Sequence, residues 1–294
     1  MLIWLLLGGG AFVLLAVTLI AVLLTYSDDS GGGDFAFSDR SIQVVDIEGE
    51  LVDSRGIIDQ LKRYEDSNSI KAILLNIDSP GGGVAVAQEL YAEVKRLREK
   101  KGKTIVAYFS STGASGAYYI ACGSTKIIAN PGSIVGSIGV IAEFVNYQEL
   151  MEWAKLKETV FKTGEFKDTG SPTRALTDRE KTYFQGLIDN MYVQFLDAVA
   201  SGRNMDIPQV RALADGRVFT GRDAKQKKLI DEIGDFQDAV DLTAKLAGIS
   251  GKPRLVRLER RRVTLLDVLT TDLSHLVPFS GTLKSQIRFQ YLWK

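Results

Sequence analysis

The chain of 294 residues is electrically balanced, with 36 lysines and arginines against 36 aspartates and glutamates, and it contains one cysteine and one histidine. The zero net charge gives no reason to expect a nucleic-acid partner. A single cysteine excludes an intrachain disulfide, and a single histidine excludes a multi-histidine zinc site.

The first 26 residues carry no charged side chain and consist mainly of Leu, Val, Ile and Ala. A helix of about 20 such residues crosses a hydrocarbon core of about 30 Å. The basic n-region and the small-residue cleavage site of a secretory signal are absent before Asp28. We therefore predict a retained transmembrane anchor over residues 1–26 and a flexible linker over residues 27–39. The expected location is the cell membrane, with the body of the chain outside the cytoplasm.

Predicted strands alternate with predicted helices after the linker. Residues 70–77 form a near-continuous apolar run that is typical of a strand buried on both faces. A loop and an amphipathic helix follow, and the same order recurs over residues 104–122. Such repeated units predict an α/β fold with a mainly parallel sheet. Further strands are predicted at residues 42–47, 126–129, 140–144, 158–162 and 217–219, and further helices at 57–64, from 147 and from 177.

Two loops between a strand and a helix are candidates for chemistry. The first, residues 78–83, reads DSPGGG, and its glycines let a ligand approach backbone N–H groups closely. No phosphate-loop pattern accompanies it, so an oxyanion hole and a plain tight turn remain as interpretations. The second loop ends at Ser115, which is either a helix N-cap or a nucleophile beside the N–H groups of a helix start.

Neighbouring parallel strands would bring these two loops side by side. Ser115 Oγ could then attack a carbonyl while N–H groups of the glycine loop and of Gly116 bind the oxyanion. The hydroxyl needs a base, and His275 lies outside the predicted core. A lysine can serve if burial lowers its pKa from about 10.4. Spacing alone does not choose among the candidates, which include Lys126, Lys155, Lys157, Lys162 and Lys167.

Four motifs occur in a characteristic order. They are DSPGGG at residues 78–83, ASGAYYIA at 114–121, PGSIVGSIGVI at 131–141 and GEFKD at 164–168. Together with the apolar N-terminus they resemble the short form of the signal peptide peptidase A family, whose fold is the Clp-protease/crotonase fold. The resemblance covers roughly residues 40–250, which we take as the peptidase domain.

The resemblance implies a Ser/Lys dyad, with Ser115 as the nucleophile and Lys167 as the general base. It also implies that Gly82 and Gly116 supply the oxyanion N–H groups, with Gly81 and Gly83 as alternatives to Gly82. No metal or cofactor is implied. The implied substrates are peptides, in particular cleaved signal peptides bound in extended form beside a strand. The implied assembly is a homo-oligomeric ring or dome.

The surroundings of Lys167 raise one difficulty for this assignment. Glu165 and Asp168 flank it in the sequence. A nearby carboxylate stabilises an ammonium group and so opposes the neutral state that a base needs. If the segment is extended, Glu165 shares a face with Lys167 and Asp168 points away. Burial of the ammonium group must then dominate, helped by Phe166 or by substrate that closes the groove.

Two other functions fit the same fold. One is a catalytically inactive membrane scaffold, and the other is a crotonase-like enzyme that uses the glycine loop as an oxyanion hole for acyl-CoA. The tail, residues 251–294, has a basic start and then leucines at helical spacing. No motif matches this tail. It could contact another subunit, pack on the core or lie on a membrane surface.

Overall fold

A computed structural model describes residues 40–258 and 289–293, all within the unit Ser38–Lys294. The predicted anchor, the linker and the leucine-rich part of the tail lie outside these residues. Among the described residues, no helix is long and apolar enough to cross a membrane.

Strands and helices alternate along most of the described chain. The strands are β1 (Ser41–Glu48), β2 (Ile70–Ser79), β3 (Gly81–Gly83), β4 (Thr104–Ala114), β5 (Lys126–Ala129), β6 (Ile134–Gly136), β7 (Ile141–Ala142), β8 (Val218–Thr220), β9 (Glu232–Ile233), β10 (Arg254–Arg257) and β11 (Phe289–Leu292). The helices are α1 (Arg55–Arg63), α2 (Val84–Lys100), α3 (Gly116–Ala121), α4 (Gln148–Trp153), α5 (Asp178–Arg203), α6 (Ile207–Arg211), α7 (Gly221–Gln226) and α8 (Phe236–Leu246), with a 3₁₀ turn at Glu165–Asp168.

The main sheet has the order β10-β1-β2-β4-β5-β9, and all of these neighbours are parallel. β6 adds to the end of β4 in parallel and pairs with β8 in antiparallel. The predicted α/β class with a mainly parallel sheet is therefore confirmed. β2 and β4 are direct neighbours, and Ser79 pairs with Gly113 at their carboxyl ends. The two loops that the sequence singles out consequently start side by side.

Both faces of the main sheet are covered, which explains the near-continuous apolar strands. Apolar residues of α2, α3 and α5 pack on one face. Helix α8 covers the other face, where Ala239 and Val240 contact residues such as Leu74 and Val106. The chain after residue 250 contributes to both sheets, because β10 pairs with β1 and β11 joins β3 and β7 in a second, antiparallel sheet.

Helix α5, predicted from residue 177, begins with a capping box. The Thr177 side chain accepts a hydrogen bond from the Glu180 N–H, and the Glu180 carboxylate accepts one from the Thr177 N–H. The apolar side chains of α5 form core in its C-terminal half, where Phe195 and Val199 are fully buried. In its N-terminal half Phe184 is buried, and Leu187 and Ile188 are partly buried.

The strand predicted at residues 158–162 is wrong. Residues 156–162 form neither strand nor helix, because no strand of residues 40–258 or 289–293 lies beside them to accept their backbone hydrogen bonds. The strand predicted at residues 140–144 is limited to β7. This part of the chain exposes an unusual number of large apolar side chains, and Phe161 is 95% exposed. The others are Val145, Tyr147, Leu150, Trp153, Leu156 and Val160.

Cys122, the only cysteine in the sequence, directly follows α3 and is 1% exposed. Burial raises the pKa of its thiol to about 12. Because the thiolate is the reactive form, we expect iodoacetamide at pH 8 to label native protein at least about 100-fold more slowly than protein unfolded in guanidinium. Intact-mass spectrometry over time measures both rates. Equal rates would show that Cys122 is accessible in the native state.

Candidate active site

The glycine loop is held against the chain that follows β1. Leu51 N–H donates to the Gly81 carbonyl at 2.8 Å, and Gly83 N–H donates to the Leu51 carbonyl at 2.9 Å. A Cβ atom on Gly82 would lie 2.3 Å from the Leu51 carbonyl oxygen, and Gly81 has a φ of +100°. A side chain is therefore excluded at Gly82, and a residue other than glycine would be strained at position 81. The loop thus presents bare backbone toward the end of β4.

Ser115 connects β4 to α3 in a strained conformation. Its φ of 54° and ψ of −117° lie outside the regions that non-glycine residues favour, and its N–H donates to the Gly136 carbonyl at 2.7 Å. An ordinary N-cap serine is extended and accepts a hydrogen bond from the first helical turn. Ser115 makes no such side-chain bond. The geometry therefore disfavours the cap interpretation, and backbone strain of this kind clusters at functional positions.

The backbone N–H groups of Gly82 and Gly116 lie close together. A Cβ atom on Gly116 would be 3.3 Å from Gly82 N and 3.1 Å from the carbonyl oxygen of Tyr291. A Cβ atom on Gly81 would be 2.7 Å from Gly116 N and 2.0 Å from the same oxygen. The Tyr291 carbonyl oxygen thus occupies the space beside the N–H groups of Gly82 and Gly116. Gly116 is the residue that directly follows Ser115 in the chain.

Tyr291 reaches this position because β11 lies between β3 and β7, antiparallel to both. Trp293 N–H donates to the Pro80 carbonyl at 2.8 Å, and the register pairs Tyr291 with Gly82. Hydrogen-bonded and non-bonded pairs alternate in an antiparallel ladder, so Tyr291 and Gly82 form the next bonded pair. Gly82 N–H therefore faces the Tyr291 carbonyl. Of the three loop glycines, the register favours Gly82 as the oxyanion donor.

Lys167 lies in the 3₁₀ turn, so the segment is not extended there. Residues three apart eclipse in a 3₁₀ turn, so Glu165 and Asp168 share a side and Lys167 lies on another. The Lys167 side chain is exposed, and its ammonium group makes no hydrogen bond or ion pair with any residue of 40–258 or 289–293. The described part of this chain, Phe166 included, therefore does not bury the Lys167 side chain.

The carboxylates beside Lys167 are paired with other cations. Glu165 forms an ion pair with Arg179 at 2.7 Å, and Asp168 forms one with Arg174 at 2.8 Å. Hydrogen bonds from Arg174 and then from Lys162 hold the pKa of the Asp168 carboxyl well below its usual range. Neither carboxylate therefore depends on Lys167 for its counter-charge.

Within one chain the structure brings Ser115, Gly82 and Gly116 together, and among the described residues no hydrogen bond or ion pair joins Lys167 to them. Phe166 packs on Tyr183 of α5 with ring centroids 5.2 Å apart. Tyr183 precedes Met191, whose carbonyl accepts a hydrogen bond from the Tyr291 hydroxyl, by about two helical turns, or roughly 12 Å along the axis. The structure gives no better support to any other candidate lysine as the general base. Lys126 and Lys162 are ion-paired, and Lys155 and Lys157 are exposed.

Sequence reasoning did not identify β11, the strand that lies against the glycine loop between β3 and β7. Residues 289–293 contain neither a motif nor a turn signal, and their pairing with the glycine loop spans about two hundred residues of chain. The alternation of Phe289 and Tyr291 is compatible with a strand, but it does not say which strand would be its partner.

Backbone N–H groups next to a strained serine are the arrangement used for acyl transfer, and the pairing of β11 with the glycine loop shows that extended backbone fits beside them. The class of protein is therefore an α/β serine peptidase. Residues 97–250 match peptidase family S49, and the chain belongs to that family.

Three relatives illustrate the range of the family. "Putative protease slr0021" of Synechocystis sp. is 40% identical over 212 residues, which are 71% of this chain and 76% of that protein. "Putative signal peptide peptidase SppA" of Enterococcus faecium is 37% identical over 192 residues, covering 65% of this chain and 56% of the relative. "Serine protease SPPA, chloroplastic" of Arabidopsis thaliana is 30% identical over 239 residues, 80% of this chain but 35% of the relative. This chain thus spans much of the first relative and about half or less of the other two.

Proposed function

We propose that this chain is a membrane-anchored endopeptidase that degrades cleaved signal peptides through an acyl-enzyme on Ser115, with Lys167 as general base. The observation that carries the proposal is the carbonyl of Tyr291, which lies beside Gly82 and Gly116 in an added β-strand. An extended substrate bound in the same way would present its own carbonyl to Ser115. Its fold is proposed to be the Clp-protease/crotonase fold.

The chemistry follows from this placement. Ser115 Oγ bonds to the substrate carbonyl carbon as its proton passes to neutral Lys167, and the Gly82 and Gly116 N–H groups bind the oxyanion. The carbon–nitrogen bond then breaks, and Lys167 returns the proton to the leaving amine. Water, deprotonated by Lys167, attacks the ester and releases the acid, which restores the Ser115 hydroxyl.

We further propose that Lys167 reaches Ser115 from a second copy of the chain in a homo-oligomer. One copy supplies the serine and both oxyanion N–H groups but keeps its own Lys167 exposed and without a partner among the described residues. The neighbouring segment, residues 145–161, exposes several large apolar side chains, including Trp153 at 82%. Exposed apolar patches of this kind mark subunit interfaces. Docking of a second copy would bury this surface and desolvate Lys167, as a lysine base requires.

The proposed membrane anchor rests on residues 1–26, which are uncharged and long enough to span a bilayer, and the body of the chain is proposed to lie outside the cytoplasm. An anchor of this kind would hold the peptidase close to signal peptides that remain in the membrane after cleavage. The peptide-like strand in the cleft argues against the acyl-CoA alternative, because the groove is complementary to a β-strand backbone.

Labelling with a fluorophosphonate tests the proposed chemistry. Wild-type protein should be modified at Ser115, as located by peptide mass spectrometry, and the labelling should be lost in Lys167→Ala because the hydroxyl is no longer activated. The same samples are assayed for cleavage of a synthetic signal peptide. A well-folded protein that neither labels nor cleaves would favour the inactive scaffold instead.

A further inference from the structure

The turn that carries Lys167 is held mainly by charged side chains. None of the residues Glu165–Asp168 is buried. Phe166, the large apolar residue of the turn, is still 40% exposed where it packs on Tyr183. A single 3₁₀ turn has poor hydrogen-bond geometry and little stability of its own. Contacts between its polar side chains and the neighbouring helix α5 therefore decide where the turn lies.

Arg174 joins the end of this turn to α5. Its Nε and Nη2 donate to the Asp168 carboxylate at 3.0 and 2.8 Å, and Nη2 also donates to the Asp168 carbonyl at 3.2 Å. On its other side, Nη1 donates to the Glu180 carboxylate at 2.9 Å. A planar guanidinium group can hold two carboxylates at once in this way, whereas a lysine ammonium group lacks the fixed fork of donors. Arg174 thus bridges the turn and the first turn of α5.

Glu180 is the fixed end of the bridge. It is 1% exposed, and its carboxylate also accepts hydrogen bonds from the Thr177 N–H at 2.8 Å and from the Thr169 hydroxyl at 3.0 Å. Hydrogen bonds from Arg174 hold the pKa of the Glu180 carboxyl well below its usual range, so its charge persists at neutral pH. A buried carboxylate whose other donors belong to the backbone and to a short side chain gives the guanidinium group a defined position.

We propose that Arg174 is the positioning residue of the general base. Its bridge from Asp168 to Glu180 fixes the turn on α5, so that Lys167 projects toward the serine site from a defined point on the surface. This inference rests on the proposed function, in which Lys167 takes the proton of Ser115 in a second copy of the chain. Arg174 acts through Lys167 and does not itself contact the substrate.

Loss of the bridge should affect the chemical step rather than substrate binding. Arg174→Ala lowers kcat for a synthetic signal peptide about 10- to 100-fold, because a base displaced by about 1 Å transfers protons poorly. KM should change less than about twofold, since the glycine loop that receives the substrate is untouched. Arg174→Lys should recover part of this loss and remain about three- to tenfold below wild-type kcat, because an ammonium group cannot hold both carboxylates in the same geometry.

Arg96 on α2 provides a matched control. It also bridges two carboxylates, those of Glu65 and Glu93, and its side chain is 29% exposed against 31% for Arg174. It lies roughly 18 Å along the α2 axis from Val84, where that helix leaves the glycine loop. Arg96→Ala should lower the thermal midpoint about as much as Arg174→Ala and keep wild-type kcat. An equal loss of kcat in both variants would show general destabilisation and overturn the inference.

Mixed assemblies show on which side of the shared site Arg174 acts. The Arg174→Ala chain is co-expressed with the Ser115→Ala chain or with the Lys167→Ala chain, and turnover of each mixture is measured. With Ser115→Ala, sites that combine the serine of one chain with the intact Lys167 turn of the other restore about one quarter of wild-type kcat. With Lys167→Ala, every site lacks either Lys167 or its bridge, so turnover stays at or below that of Arg174→Ala alone.

The outcomes separate this inference from the function on which it rests. Restoration by Lys167→Ala instead of Ser115→Ala would place Arg174 on the serine side and overturn the inference. So would failure of both mixtures when the mixture of Ser115→Ala and Lys167→Ala is active. If that last mixture stays inactive although wild-type protein cleaves the peptide, the shared dyad is wrong, and the kcat values of Arg174→Ala, Arg174→Lys and Arg96→Ala decide the inference by themselves. Wild-type protein without turnover would overturn the proposed function and the inference together.

Discussion

Ser115→Ala lowers kcat for peptide cleavage by a factor of about 10⁴ to 10⁶, because the acyl-enzyme cannot form and only binding and oxyanion stabilisation remain. Stability should be nearly unchanged. The Ser115 hydroxyl makes no hydrogen bond to a residue of 40–258 or 289–293, and alanine meets the same backbone strain as serine. Steady-state kinetics and thermal unfolding followed by circular dichroism measure the two effects.

Ser133 is the matched control for this variant. It is also buried, in the loop between β5 and β6, but its hydroxyl donates to the carbonyls of Phe109 at 2.9 Å and Ser110 at 2.8 Å. Ser133→Ala should therefore lower the free energy of unfolding by about 1 kcal/mol and change kcat less than about threefold. Turnover close to that of wild-type in Ser115→Ala would remove Ser115 as the nucleophile.

Lys167→Ala lowers kcat by about 10² to 10⁴ without loss of stability, since the proton of the Ser115 hydroxyl then has no acceptor. Lys157→Ala is the control, because Lys157 is equally exposed and lies in the same surface segment. It should retain wild-type turnover. A loss of activity in Lys157→Ala as large as that in Lys167→Ala would indicate a general effect of surface charge rather than a specific base.

Co-expression of the Ser115→Ala and Lys167→Ala chains tests whether the dyad is shared between copies. Each mixed site that takes Ser115 from one variant and Lys167 from the other is complete, so random assembly restores about one quarter of wild-type kcat. Each variant expressed alone stays inactive. If both residues acted within one chain, no pairing of these variants would restore turnover, and the mixture would stay as inactive as its components.

Much of the fold was predictable because it depends on local patterns. Apolar runs of strand length and amphipathic helices between them require a parallel sheet with helices on it. The glycine loop and Ser115 were predictable as candidates for the same reason, since both follow directly from strands whose carboxyl ends must meet at one edge. The predicted strand at residues 158–162 failed because a strand forms only where a neighbour accepts its hydrogen bonds, and local sequence does not report the neighbour.

The sequence by itself thus determined the α/β class, the adjacency of the two loops and, through its motifs, the choice of Ser115 and Lys167. Only the tertiary structure decided three further points. Gly82 is favoured as donor by the register of β11, Ser115 is strained rather than a cap, and Lys167 is exposed on its own chain. Each depends on backbone conformation or on contacts between distant segments, whose formation involves loop closure over long stretches of chain and leaves no periodicity in the sequence.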